Sequence, residues 1–128
     1  MDDQHRRDQG MGQRRKVLGN AWVDKSILNR NAFNTDFQDL ITRYAWGEIW
    51  TRAGLPGHTR SLLTIALMVA LNRGEEFRLH VRAAFNNGVT RDEIKEVLLQ
   101  CAIYCGVPAA NSAFHMAEEV FAQLGQGG

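Results

Sequence analysis

Residues 62–71, LLTIALMVAL, constrain the fold more than any other part of the chain. Apolar side chains cover almost every side of a helix drawn through this segment, and a helix of that kind is buried. The segment is far shorter than the roughly 20 residues that a membrane-spanning helix needs. We therefore expect a buried helix of a soluble protein, lying at or near a contact between subunits because a small monomer cannot cover all of its faces.

The rest of the chain also carries helical spacing and helix-end signals. Thr90 and Glu93 form a capping box at the start of one helix, and Gly88 is placed to end the helix before it. β-Branched alternation, which would indicate strands, is absent. The sequence predicts an all-α fold, a single-domain helical bundle over residues 14–125, with helices near 15–28, 34–50, 58–71, 75–87, 90–104 and 108–124.

Two of these helices have apolar faces that we expect to point toward the core. The face of the second predicted helix consists of Phe37, Leu40, Ile41, Tyr44 and Ile49. The face of the fifth consists of Ile94, Val97, Leu98, Ala102 and Ile103.

Residues 1–13 are charged and polar, and Gly10 and Gly12 interrupt them, so we predict a mobile N-terminal arm. The formal net charge of +1 gives no reason to expect a nucleic-acid partner or an anionic membrane surface. The polar N-terminus lacks the apolar segment of a signal peptide, and two cysteines four residues apart predict free thiols in a reducing compartment. We expect a cytoplasmic protein.

Several segments are similar to one protein family. They are RKVLGNA at 15–21, YAWGEIWTR at 44–52, TRSLLT at 59–64, HVRAA at 80–84, NGVT at 87–90 and YCGVPAAN at 104–111. On these segments the chain resembles the 4-carboxymuconolactone decarboxylase family over residues 14–124. That family lies within the alkyl hydroperoxidase D-like superfamily.

The resemblance implies a fold, an assembly and a reaction. The fold is a helical bundle of the alkyl hydroperoxidase D-like type, assembled into homo-oligomeric rings, commonly hexamers, with active sites near subunit interfaces. The reaction converts 4-carboxymuconolactone, a small-molecule lactone, to 3-oxoadipate enol-lactone and CO2 in protocatechuate breakdown (the β-ketoadipate pathway). No metal or organic cofactor is implied, and the sequence contains no Gly-rich phosphate loop or metal-ligand cluster.

Peroxidases of the same superfamily carry a Cys-x-x-Cys-x-x-x-His motif and an upstream glutamate. If His80 is placed on the motif histidine, the two cysteine positions hold Arg73 and Glu76, and the glutamate position holds Ser61. A thiol peroxidase needs a thiolate nucleophile and a resolving thiol, so this departure favours the decarboxylase. Two alternatives remain: a thiol-dependent peroxide reductase that uses Cys101 and Cys105 in a non-standard arrangement, and a non-enzymatic oligomeric binding module.

The implied reaction asks three things of the protein. A cation must hold the substrate's acetate side chain, donors must stabilise the developing oxyanion, and an acid must deliver a proton to carbon. His80 is the first candidate for the acid or the oxyanion donor, with Glu76 one turn before it; a core or surface histidine with one hydrogen bond is the alternative. Glu48 is the second catalytic candidate because it lies between Trp46 and Trp50, where a carboxylate can be partly desolvated.

Three arginines are candidates for substrate binding. Arg60 lies at the start of the buried helix, where anions are favoured, and a guanidinium can bind a carboxylate through two hydrogen bonds. The alternative for Arg60 is a salt bridge to Glu48 or an interface contact, and for Glu48 an ion pair with an arginine. Arg43 and Arg78 are further candidates, although exposed helix arginines are common. His58 is expected to act only as a helix cap.

Overall fold

The computed structural model describes residues 2–125, which form two compact units divided between Pro56 and Gly57. Every regular element in the described range is a helix, which confirms the all-α fold class. Within that range, no helix is both long and apolar enough to span a bilayer.

The first unit contains three α-helices and a π-helix. They are α1 (Asp3–Leu18), α2 (Asn20–Leu28), α3 (Thr35–Ile41) and the π-helix Thr42–Ile49, which continues α3 without a break. The amide of Trp50 donates to the carbonyl of Ala45, a five-residue step that marks the wider turn of a π-helix. The helix predicted over 34–50 therefore exists, but its second half is wound differently.

Helix α1 covers most of the segment for which we predicted a mobile arm, and the prediction missed it; Met1 of that arm lies outside the described residues. Asp2 caps the helix by accepting a hydrogen bond from the amide of His5. Gly10 lies against the π-helix so closely that a Cβ there would overlap the carbonyl oxygen of Thr42, and a Cβ at Gly47 would overlap that of Arg6. The two glycines weaken local helix propensity, but they allow close backbone packing that stabilises the helix.

The apolar face predicted for 34–50 is wrong for four of its residues, which are exposed: Phe37, Leu40, Tyr44 and Ile49. The buried face instead holds Gln38, Thr42 and Trp46. The reason is the neighbouring side chain of Arg14, which is buried and donates to Ser26 Oγ at 2.9 Å and Thr42 Oγ1 at 3.5 Å. A buried guanidinium needs polar acceptors, so a polar face packs toward it.

The second unit contains α4 (Gly57–Ala70), α5 (Gly74–Ala84), a 3₁₀ turn (Phe85–Asn87), α6 (Arg91–Tyr104) and α7 (Val107–Gln123). The capping box of Thr90 and Glu93 is present, as predicted. Gly88 adopts φ 78° at the end of the 3₁₀ turn, a left-handed conformation that favours glycine. The core of the unit is formed by inward faces of all four α-helices, including Ile65, Phe77, Leu98 and Val120.

Helix α4 is less buried in this chain than its composition predicts. Ser61, Ile65 and Val69 are buried, but Leu63, Leu67 and Leu71 are about half exposed or more. The leucines recur every four residues and form one stripe. In α6, Ile103 is 78% exposed, so its predicted place in the core is wrong; Cys101, nearer the middle of the helix, is buried instead.

Candidate active site

His80 lies in the second half of α5, whose buried residues Phe77 and Val81 flank it in sequence. Burial lowers the pKa of His80 below its usual value, and the charge of Glu76, one turn earlier, partly opposes that shift. The lowered pKa keeps the imidazole neutral near pH 7, and a neutral ring still offers one N–H donor. This environment suits an oxyanion donor better than a proton donor.

Arg60 lies in the first turn of α4, beside the buried Ser61. Ser61 Oγ accepts a hydrogen bond of 2.9 Å from the side-chain amide of Asn87, which ties the start of α4 to the turn after α5. The side chain of Arg60 is half-buried. Its position at a helix N-terminus is compatible with holding a carboxylate.

His58 and Glu93 form a pair that the sequence analysis missed, because His58 was assigned only a capping role. His58 Nε2 lies 2.8 Å from Glu93 Oε2, and both side chains are about one-third exposed. The capping box indicated the orientation of Glu93, but no local signal joins the starts of α4 and α6. A carboxylate that holds one imidazole nitrogen is an arrangement used in acid–base catalysis.

An apolar groove of about 480 Å³ lies beside this pair, between α4 and α6. It is lined by Thr59, Leu62, Leu63, Ala66, Glu93, Glu96, Val97, Gln100 and Cys101. Leu62, Leu63, Ala66 and Val97 supply its aliphatic surface, and Glu93 and Glu96 add two carboxylates to the lining.

Glu48 belongs to the first unit, in the π-helix. Its carboxylate accepts a hydrogen bond of 3.3 Å from Arg6 Nε, and its side chain is 36% exposed. Trp46 and Trp50, on either side in sequence, stack with ring centroids 5.0 Å apart. The alternative to a catalytic role for Glu48, an ion pair with an arginine, is thus present, and that arginine comes from α1.

Arg43 and Arg78 differ in how their charges are matched. Arg43 lies in the π-helix with its guanidinium 5.7 Å from the ring centre of Tyr44, and its Nε is buried without a hydrogen-bond partner among the described residues. Arg78, on α5, forms a 2.9 Å ion pair with Glu119 of α7, and both side chains are well exposed. Arg43 therefore retains an unused donor, whereas Arg78 already has an anionic partner.

The five predicted site residues are divided between the two units. His80, Arg60 and Arg78 belong to the second unit, and Glu48 and Arg43 belong to the first.

The two cysteines are free thiols. Burial, and after it the neighbouring Cys105, raises the pKa of the Cys101 thiol to about 11. A thiol with such a pKa is scarcely ionised near neutral pH and is a poor nucleophile, which argues against the peroxide-reductase alternative. Across residues 2–125, no three histidine, cysteine, aspartate or glutamate side chains are grouped so as to hold a metal ion.

Comparison with known proteins identifies the family. The model of the carboxymuconolactone decarboxylase family matches residues 35–119. The chain belongs to this family. The match begins at α3 and ends within α7, so it includes all five predicted site residues as well as His58 and Glu93.

Three relatives are decarboxylases by name, and two of them match over most of both chains. A 4-carboxymuconolactone decarboxylase of Acinetobacter baylyi is 58% identical over 98% of this chain and 93% of its own length. A nitrosuccinic acid decarboxylase of Metarhizium robertsii is 44% identical over 88% of this chain and 80% of its own length. A 4-carboxymuconolactone decarboxylase of Pseudomonas putida is 50% identical over 38% of this chain and all of its own sequence.

Proposed function

We propose that this chain is a carboxy-lyase that converts 4-carboxymuconolactone to 3-oxoadipate enol-lactone and CO2 in the β-ketoadipate pathway. The observation that carries the proposal is the 58% identity with the Acinetobacter baylyi enzyme along nearly all of both chains. Two further observations support a decarboxylase over a peroxide reductase. The positions of the peroxidase cysteines and glutamate hold Arg73, Glu76 and Ser61, and the pKa of the Cys101 thiol is raised.

The substrate supplies its own electron sink in this reaction. The departing carboxylate lies on the ring carbon γ to the lactone carbonyl, and a double bond conjugates the two. When the C–C bond to CO2 breaks, its electron pair moves through the ring to the carbonyl oxygen. Protonation of the carbon α to the carbonyl then gives the enol-lactone. The protein has to stabilise charge and move one proton, which needs no organic cofactor.

We assign His80 to the developing oxyanion, because its half-buried ring with a lowered pKa can donate a hydrogen bond without carrying charge. Arg60 is proposed to hold a substrate carboxylate. Glu48 and Arg43, in the first unit, are proposed separately as functional residues, Glu48 as an acid or base and Arg43 as a substrate anchor through its unused Nε. Arg78 is the weakest of the proposed anchors, since its ion pair with Glu119 would have to break before its guanidinium could bind the substrate carboxylate.

The proposed enzyme is a cytoplasmic homo-oligomer, expected to be a hexamer. The exposed stripe formed by Leu63 and Leu67 on α4 and by Leu71 just after it supports a contact between subunits. The free thiols fit a reducing compartment. Light scattering at micromolar concentration tests the assembly: a multimeric mass is expected, and a monomeric mass contradicts it.

The test of the activity is the loss of 4-carboxymuconolactone absorbance on addition of the protein, beside His80→Ala and the control His115→Ala. His115 is exposed on α7 and outside the proposed site. We expect turnover in the wild type and the control, and a loss of at least ~100-fold in His80→Ala, the scale of an oxyanion or acid–base group. A wild-type rate no better than buffer contradicts the proposed reaction.

A second candidate substrate is nitrosuccinate, favoured by the 44% identity with the fungal enzyme. The nitro group would accept the electron pair in place of the lactone carbonyl. The same preparation should be assayed with both compounds. A higher kcat/KM with nitrosuccinate would show that nitrosuccinate, not the lactone, is the preferred substrate. The chain would still be assigned as a decarboxylase.

A further inference from the structure

His58 and Glu93 are 35 residues apart in sequence, and their contact joins the first turns of two helices. His58 follows the first residue of α4, and Glu93 is the third residue of α6. The 2.8 Å separation of Nε2 and Oε2 fixes which edge of the imidazole faces the carboxylate. In the described part of the chain, Nδ1 makes no hydrogen bond, so this second nitrogen is available to a ligand.

The carboxylate of Glu93 is held from both sides. Its Oε1 accepts the amide of Thr90 at 2.8 Å, while the amide of Glu93 donates to Thr90 Oγ1 at 3.1 Å. The hydrogen bond from His58, and after it that from the Thr90 amide, lowers the pKa of the Glu93 carboxyl below its usual value. The group is therefore ionised at neutral pH and rigidly placed, which suits it to orient a histidine and to accept its Nε2 hydrogen.

The proposed reaction needs an acid that protonates carbon. Glu48 is one candidate, but its carboxylate is already paired with Arg6, and this pair is a second candidate. His80 is assigned to the oxyanion because its ring stays neutral, so the proton for the α carbon must come from elsewhere. Two histidines in different environments can divide these tasks, the buried neutral one as donor of a hydrogen bond and the carboxylate-held one as acid.

We propose that His58 is the catalytic proton donor of the decarboxylation and that Glu93 is its positioning residue. The inference rests on the proposed function. When CO2 leaves, the electron pair of the broken C–C bond enters the lactone ring. The Nδ1 proton of the His58 imidazolium then transfers to the carbon α to the carbonyl and forms the new C–H bond. The imidazole that remains keeps its Nε2 hydrogen on Glu93 and takes its next proton from water.

Both helices carry further charged residues near the positions of this pair. On α6, Glu96 lines the same groove as Glu93, and Asp92 precedes Glu93 in the first turn. On α4, Arg60 lies two residues after His58, where it is already proposed to hold a substrate carboxylate. A carboxylate bound by Arg60 would bring the lactone to the same end of α4 as the proton donor.

The first experiment compares kcat for His58→Gln with that for His115→Gln, which removes an exposed histidine from α7. We expect kcat to fall by at least ~100-fold in His58→Gln and to stay within about twofold in the control. Glu93→Gln keeps the capping box, because glutamine also serves at that position, but removes the charge. We expect it to lower kcat and to shift the pH profile, whereas Asp92→Asn in the same turn should do neither.

The second experiment separates proton delivery from folding. In D2O the wild type should place a single deuterium on one face of the α carbon, as NMR of the product will show. If His58 delivers the proton, the residual product of His58→Gln should be a mixture of molecules with one deuterium on either face, because water then protonates the anion. Unchanged kcat, or one-sided deuterium in His58→Gln, overturns the inference while leaving the decarboxylase proposal intact. Absence of turnover in the wild type overturns the proposed function itself.

Discussion

Helix α1 should tolerate a methyl group at Gly12 and reject one at Gly10. The two glycines are two residues apart in the same helix, so replacing either by alanine gains the same helix propensity, about 1 kcal/mol. A Cβ at Gly12 meets no atom within 4 Å. A Cβ at Gly10 would overlap the carbonyl oxygen of Thr42 and lie 2.9 Å from the amide nitrogen of Gly47.

The difference between the two variants isolates the cost of the overlap, because the propensity gain cancels. Both atoms that the new methyl group meets belong to the backbone of the π-helix, so they cannot turn aside as a flexible side chain can. Overpacking of this kind costs about 1–3 kcal/mol. Gly12→Ala should therefore be stabilised, and Gly10→Ala should be at least about 1–3 kcal/mol less stable than Gly12→Ala.

Tryptophan fluorescence in urea is the assay, since Trp22, Trp46 and Trp50 all lie in the first unit and report on its unfolding. With a urea m-value of about 1 kcal/mol/M, the midpoints of the two variants should differ by about 1 M or more. Equal midpoints would refute the close packing of α1 on the π-helix, and with it the placement of Arg6 beside Glu48.

Three further predictions concern the second unit. Phe77→Ala should lower the free energy of unfolding by about 3–5 kcal/mol, measured by circular dichroism, because Phe77 is fully buried in the core; a loss below about 1 kcal/mol would contradict that burial. Because the pKa of His80 is lowered in the native state, the unfolded chain binds the proton at a higher pH than the folded one. The free energy of unfolding of the wild type should therefore decline as pH falls below about 6.5, and it should decline less in His80→Gln. Identical pH profiles of the two proteins would contradict the lowered pKa. Decarboxylation should survive alkylation of accessible thiols, and Cys101 should react slowly at pH 7 because of its raised pKa; activity that falls in proportion to modified Cys101 would favour a thiol mechanism.

Local signals in the sequence were sufficient for the helix ends of the second unit around residues 88–93. Thr90 and Glu93 specify a helix start through contacts three residues apart, and Gly88 marks a left-handed turn, so both could be read without knowledge of the fold. His80 became the first candidate through the resemblance, since a histidine on a helix has no chemical meaning until its burial is known. Arg60 was indicated by its place at the start of a helix.

Contacts distant in sequence account for what was missed. Helix α1 depends on Gly10 and Arg14 meeting Thr42, about 30 residues away, and its own composition argues for an arm. The same contact reverses the expected face of the following helix, because a buried guanidinium draws polar side chains inward. The pairing of His58 with Glu93 also joins separate helices, and periodicity within either one contains no information about it.

The most direct test of the account is a single assay of the purified chain with 4-carboxymuconolactone, following substrate absorbance and evolved CO2 together, with nitrosuccinate and buffer alone in parallel. We expect one CO2 for each lactone consumed, a rate far above buffer, and a higher kcat/KM for the lactone than for nitrosuccinate. Lactone loss no faster than in buffer would contradict it.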